Sequence, residues 1–133
     1  MNVTHISIQL ASGDPERLRA FYKDIVQLPT EEHMGPGAFK IGAMDALLIV
    51  DHSEVSGMAK EGARTMIDLH VEDIDAEHDR LKAAGVMFTR EKGVEFWGGV
   101  ISTFNDPDGN TIQVIQHKPE LARVPEDQAT GVA

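Results

Sequence analysis

Asn105-Asp106-Pro107-Asp108-Gly109-Asn110, running straight into Thr111-Ile112-Gln113-Val114-Ile115-Gln116-His117, is the stretch on which the fold turns. Asp-Pro presets φ for a turn, and Asp-Gly supplies a position that needs φ > 0. The seven residues that follow alternate, with Ile112 and Val114 on one side and Thr111, Gln113 and Ile115 on the other. That is a half-buried strand entered through a tight turn. Gln113 therefore points away from the packed layer, and the opposite face of the strand has a use for a polar side chain.

Reading back towards the N-terminus, Val100–Phe104 and Val86–Arg90 have the composition of two further strands. Before them Asp73 is an N-cap, and Ile74, His78, Leu81 and Ala84 form the stripe of a helix that Gly85 closes as its C′ residue. Thr65–Val71 alternates Ile67, Leu69 and Val71 against Met66, Asp68 and His70, which predicts the leading strand. Residues 51–63 carry Ser53, Ser56, Gly57 and Gly62 and read as a linker.

The first half has the same order. Val3–Leu10 alternates Thr4, Ile6, Ile8 and Leu10 against Val3, His5, Ser7 and Gln9. Asp14 as N-cap and Pro15 at the first position open a helix with Leu18, Phe21, Tyr22 and Ile25 at helical spacing, ended at Leu28-Pro29. Residues 30–38 are a loop with Gly-Pro-Gly at 35–37. Phe39–Ile41 and Ala46–Val50 are strands joined by a turn.

A shift of 61 lays His5, Ser7 and Gln9 on Met66, Asp68 and His70; a shift of 60 lays Leu18 and Phe21 on His78 and Leu81. Two units of ~60 residues are no solenoid, which needs three or more shorter repeats. The pattern predicts an α+β fold: two βαβββ modules, about 3–52 and 65–117, in one domain over 1–117. Their sheets would form one cup-shaped mixed sheet with helices on the convex face. Ile6, Ile8, Ile67, Leu69, Ile112 and Val114 would pack beneath the helices. His5, Ser7, Gln9, Asp68, His70 and Gln113 would line the concave side. Residues 118–133, with Pro119, Pro125 and Gly131, read as a C-terminal tail, mobile or laid on a partner subunit.

Composition narrows the function. The 133 residues are 41% hydrophobic and include 12 Gly and 6 Pro, as in an ordinary globular domain. Without cysteine there is no disulfide framework, thiolate metal site or Cys nucleophile. The formal charge of −10 repels nucleic acid. No secretory pattern opens the chain and no apolar run approaches ~18 residues, so the expectation is a cytoplasmic protein with no membrane partner. No Ser-His-Asp arrangement, phosphate loop or nucleotide fingerprint is present.

Paired βαβββ units, Arg80-Leu81-Lys82-Ala83-Ala84-Gly85-Val86, Phe96-Trp97-Gly98-Gly99 and Asp106-Pro107-Asp108-Gly109-Asn110 together resemble the vicinal oxygen chelate superfamily over residues 3–117. That group includes glyoxalase I, bleomycin-resistance proteins, fosfomycin-resistance proteins and extradiol dioxygenases. The resemblance implies a homodimer and a divalent metal (Zn, Ni, Mn or Fe) held by one ligand from each of four strands. Carried over, the first ligand falls on His5 and the last on Gln113, where the family usually has Glu. The third falls on Met66, whose thioether suits Cu(I) rather than these metals. The second falls in Leu48-Ile49-Val50, with Asp51 reachable only by a register slip. His70 cannot replace Met66, four strand residues or ~13 Å away. His5 and Gln113 thus make a partial, uncharged site, and each also reads as a polar cavity residue.

The other cavity candidates each have two readings. Asp68 and His70 share a face and suit either an acid–base pair or a solvated rim. Trp97, Phe96 and Phe104 suit either stacking on a planar ligand or the core. His78, on the apolar stripe, reads as packing. Ser7, Gln9, Met66, Asp68, His70, Trp97 and Phe104 are the ligand-binding set, and no catalytic residue is assigned. Two functions follow: a bleomycin-resistance-like small-molecule binder with a partly lost metal site, or a metal-dependent lyase, transferase or dioxygenase of the same superfamily.

Overall fold

The structure, a computed structural model, describes residues 1–35, 37–43 and 45–123. The chain divides into two compact units: Met1–Lys60 with Asp106–Gly109, and Glu61–Asn105 with Asn110 onward. Both are strand–helix–strand arrangements, and the fold is α+β with one three-stranded and one four-stranded sheet.

In the first unit β1 (Ser7–Ser12) pairs in parallel with β3 (Asp45–Asp51), and β2 (Ala38–Ile41) pairs antiparallel with β3. Only an isolated bridge, Thr30 to Phe39, stands where a further strand would pair. Helix α1 (Pro15–Ala20) begins as the sequence predicts, with the Asp14 carboxylate accepting from Arg17 N and Pro15 in the first turn. It then widens into a π turn, Phe21–Val26, closed by Gln27 at φ 65. The wider turn spaces the buried residues by four, so Leu18, Tyr22 and Val26 are buried and Ile25 is only half-buried. Ile6, expected in the core, lies just ahead of β1 and is 55% exposed.

The Asp106–Gly109 turn is held by named bonds inside this unit. Asp106 is buried; its Oδ2 accepts from the Tyr22 hydroxyl at 2.7 Å and its Oδ1 from Asp108 N at 2.9 Å. Gly109 N donates to Asp106 O at 2.9 Å, and Gly109 sits at φ 83, the conformation that made Asp-Gly legible as a turn. Burial, then the nearby Asp106 charge, pushes the Tyr22 phenol well above its ordinary pKa.

In the second unit β4 (Met66–His70), β7 (Thr111–His117), β6 (Gly99–Asn105) and β5 (Phe88–Val94) lie in the order β4-β7-β6-β5. The β4–β7 pair is parallel and the other two are antiparallel. Helix α2 (Ile74–Ala83) is capped by Asp73 and buries Ile74, His78 and Leu81, as its stripe predicts, while Ala84 is exposed. Ile67, Ile112 and Val114 are buried and Leu69 is half-buried. Strand β5 runs four residues past Arg90, with one register shift on each side of Arg90, the second accommodating Glu91-Lys92. Part of the expected tail is bonded to the β5–β6 hairpin: Lys118 N donates to Gly98 O and Arg123 N to Phe96 O. Residues 124–133 lie outside the described residues.

A candidate ligand cavity in the second unit

Register decides which side chains meet. Asp68 stands opposite Gln113, His70 opposite Ile115, and Ile115 opposite Ile101. Successive residues of a strand alternate faces, so these side chains share one face and Ile67, Ile112 and Val114 take the other. The shared face opens into a cavity of about 710 Å³. Met66, Asp68 and His70 line it from β4, Gln113 and Ile115 from β7, Ile101 from β6 and Arg90 from β5. Glu95, Phe96 and Trp97 line it from the hairpin.

The hairpin is built to present its aromatic residues. Glu95 N donates to Gly99 O at 2.7 Å and Gly98 N to Glu95 O at 2.9 Å, which closes a short loop around Phe96 and Trp97. Gly98 sits at φ 91, and a Cβ there would stand 2.7 Å from Lys118 O. Arg90 Nη1 donates to Glu95 Oε1 at 2.7 Å, tying β5 to the loop. The Arg90 guanidinium lies over Gly93, 3.3 Å from where a Cβ would be. His117 Nε2 lies 3.3 Å from Trp97 O, and the two rings are 6.0 Å apart. Within this lining Arg90 is neutralised by Glu95, so Asp68 contributes the remaining formal charge.

Several expected site residues are therefore together: Met66, Asp68, His70, Trp97 and Gln113. Phe104 is not among them. It is fully buried, opposite Ile112 and Phe88 and edge-on to the Phe88 ring at 5.8 Å. Its register puts it on the packed face. The sequence reading leaves out Arg90, Glu95 and Ile101: the charged Glu91-Lys92 pair makes β5 appear to end at Arg90, short of Glu95, and Ile101 reaches the cavity face only through its pairing with Ile115. The small residue Gly93 was the available sign of a bulge.

His5 and Ser7 line a separate cavity of about 320 Å³ in the first unit, with Glu31, Met34, Lys40, Ala43 and Ala46. Gln9 is exposed on β1. The β3 residues opposite Ser7 and Gln9 are Ala46 and Leu48, and the unbroken register leaves Asp51 opposite Ser12 on the other face. The slip that would have made Asp51 a ligand does not occur. His5, ahead of β1, shares its cavity with both the Glu31 carboxylate and the Lys40 ammonium. Gln113 stands opposite the Asp68 carboxylate, with Met66 lining the same cavity. Of the carried-over ligand positions, Met66 and Leu48-Ile49-Val50 offer no donor suited to a Zn, Ni, Mn or Fe dication. Among the described residues no group of three or more His, Cys, Asp or Glu gathers to hold a metal.

A serine–histidine–carboxylate line absent from the sequence reading does exist. His78 Nδ1 is 2.7 Å from Ser102 Oγ and its Nε2 is 3.0 Å from Glu91 Oε2. The imidazole also stacks on Phe88 at 4.2 Å. Ser102 has no exposed surface and lies on the packed face under α2, so no substrate carbonyl reaches its oxygen. The array satisfies buried polar atoms, in line with the packing reading of His78.

The parallel β4–β7 pair, the crossover helix and the antiparallel β5–β6–β7 meander define a βαβββ protein with a ligand-sized hollow on the open sheet face. The family model described as Glyoxalase/Bleomycin resistance protein/Dioxygenase superfamily matches residues 3–114, and the chain belongs to that superfamily. Among solved structures it resembles TnmS3, an antibiotic binding protein from Streptomyces sp. CB03234. The two are 25% identical with a TM-score of 0.68, over 89% of this chain and 99% of that one. It also resembles the lactoylglutathione lyase of Agrobacterium tumefaciens (20% identity, TM-score 0.66, 87% and 95% covered). A third is TioX from Micromonospora sp. ML1 (19% identity, TM-score 0.62, 87% and 100% covered). The last two likenesses are of fold alone. No curated protein matches the sequence. Among the described residues no helix is long and apolar enough to cross a membrane.

Proposed function

We propose that the protein binds and sequesters a small organic molecule in the second-unit cavity, and that the superfamily's metal site is partly lost. The cavity carries this reading. Its volume, about 710 Å³, falls among those of drug-sized ligand sites. Met66, Ile101, Ile115, Phe96 and Trp97 offer apolar area for affinity, and Asp68, His70 and Gln113 offer hydrogen bonds for orientation. The likeness to an antibiotic-binding protein, at 25% identity, supports binding as the role.

Metal analysis of protein purified without chelator tests the proposal against the enzymatic alternative. Less than one equivalent of Zn, Ni, Mn or Fe per chain is expected, because His5 and Gln113 offer no charge to offset a dication. One tightly bound metal per chain, lost in His5→Ala, would overturn the proposal and favour a metal-dependent lyase, transferase or dioxygenase.

A further inference from the structure

The position of Trp97 on Gly99 carries an inference about the kind of molecule the cavity takes. Gly99 stands opposite His117, two residues before Ile101, so a side chain at position 99 would point to the cavity face. The Trp97 indole occupies that place instead. A Cβ built on Gly99 would fall on the Trp97 ring atoms Cη2, Cζ3 and Cζ2. Its closeness to three consecutive ring atoms puts it over the face of the benzo ring rather than off its edge. The indole therefore lies flat on the β6 backbone, with one face against Gly99 and the ring bordering the cavity. The loop bonds from Glu95 N to Gly99 O and from Lys118 N to Gly98 O hold the backbone on both sides of it.

A flat aromatic surface seated this way offers a stacking partner for another flat ring, and a ring has little rotamer freedom to lose. Resting on the binding reading above, we propose that the cavity selects a planar conjugated ring system, with Trp97 as its platform. Gly99 is the positioning residue that lets the platform lie down. Arg90 repeats the device nearby: its planar guanidinium lies over Gly93 and is held there by Glu95. Any side chain at position 99 evicts the indole, because the overlap is with a rigid ring whose loop is pinned by backbone bonds.

Two measurements test this separately. The first needs no ligand: acrylamide quenching and emission of Trp97, the only tryptophan, in wild type and Gly99→Ala. The variant is expected to show a red-shifted emission and stronger quenching, with an unchanged far-UV circular dichroism spectrum. Unaltered quenching would overturn the cradle. The second uses calorimetric titration with two amines of matched charge and different shape, 9-aminoacridine (flat) and 1-adamantylamine (a cage). Wild type should prefer the flat amine. Gly99→Ala should weaken that binding about tenfold and leave the cage amine unchanged, and the effect should vanish in a Trp97→Leu background. Equal or tighter binding of the cage amine overturns the planar class while leaving the binding reading in place. Binding of neither amine overturns both. If Gly99→Ala does not fold, Trp97→Leu alone, which keeps the glycine, must abolish the preference for the flat amine, and a retained preference counts against the platform.

Discussion

Tyr22 shows how much one hydroxyl can fasten. It has no exposed surface, and it donates to Asp106, whose other oxygen closes the turn through Asp108 N. Tyr22→Phe keeps the ring and removes the donor, leaving a carboxylate oxygen buried with one partner fewer. A loss of ~1–3 kcal/mol in urea denaturation is expected. Its pH dependence has a definite sign. The folded-state pKa is raised by burial above the ordinary 10.0, so the contribution is complete below pH 10. Above that, the unfolded chain releases the proton while the folded one keeps it, and stability falls as pH rises. Wild type should therefore lose stability between about pH 10 and 12 more steeply than Tyr22→Phe, which has no phenol to ionise. Parallel curves would show that this phenol does not titrate differently in the two states.

At the scale of elements, pairing register decides burial where hydrophobicity alone does not. Ile6 and Ile112 read alike in sequence, each an isoleucine on the apolar side of an alternating strand. Ile112 lies within β7, between β4 and β6, and has no exposed surface; Ile6 lies just ahead of β1, at the edge of its sheet, and is 55% exposed. Ile112→Ala should cost ~2–5 kcal/mol, and Ile6→Ala less than ~1 kcal/mol. Similar costs in chemical denaturation would mean that Ile6 is covered in solution. Strand β5 makes the same point from the polar side. Its Glu91-Lys92-Gly93 segment has no strand signature, yet β6 pairs with it on both sides of the bulge.

For the whole molecule, the charge of −10 opposes association with polyanions and keeps copies apart at low salt. The homodimer that the superfamily resemblance implies is a proposal, and sedimentation equilibrium tests it directly. About twice the chain mass is expected, with association strengthening from low to physiological salt as like charges are screened. A single-chain mass at all salt concentrations would discard the dimer.

Some of this was legible before any fold was known because it is written in local chemistry. The Asp-Pro-Asp-Gly turn, the Asp14 and Asp73 caps, the α2 stripe and the alternation of Thr111–His117 depend on φ preferences and periodicity that neighbouring residues set for one another. The repeat with its motifs identified the superfamily, and alternation alone put Met66, Asp68, His70 and Gln113 on a common face. Contacts across the chain were not legible. Phe104 and Trp97 are both aromatic residues near the second-unit sheet, and only pairing decides between them: Phe104 falls opposite Ile112 in the core, whereas Trp97 lies over a glycine at the cavity. The Arg90–Glu95 pair needed a bulge that moves β5 past its apparent end. Ser102, His78 and Glu91 come together from one helix and two strands, separated by 24 and 13 residues. Tertiary structure decided these because strand register and backbone clearance are properties of pairs of segments, and no single segment carries them.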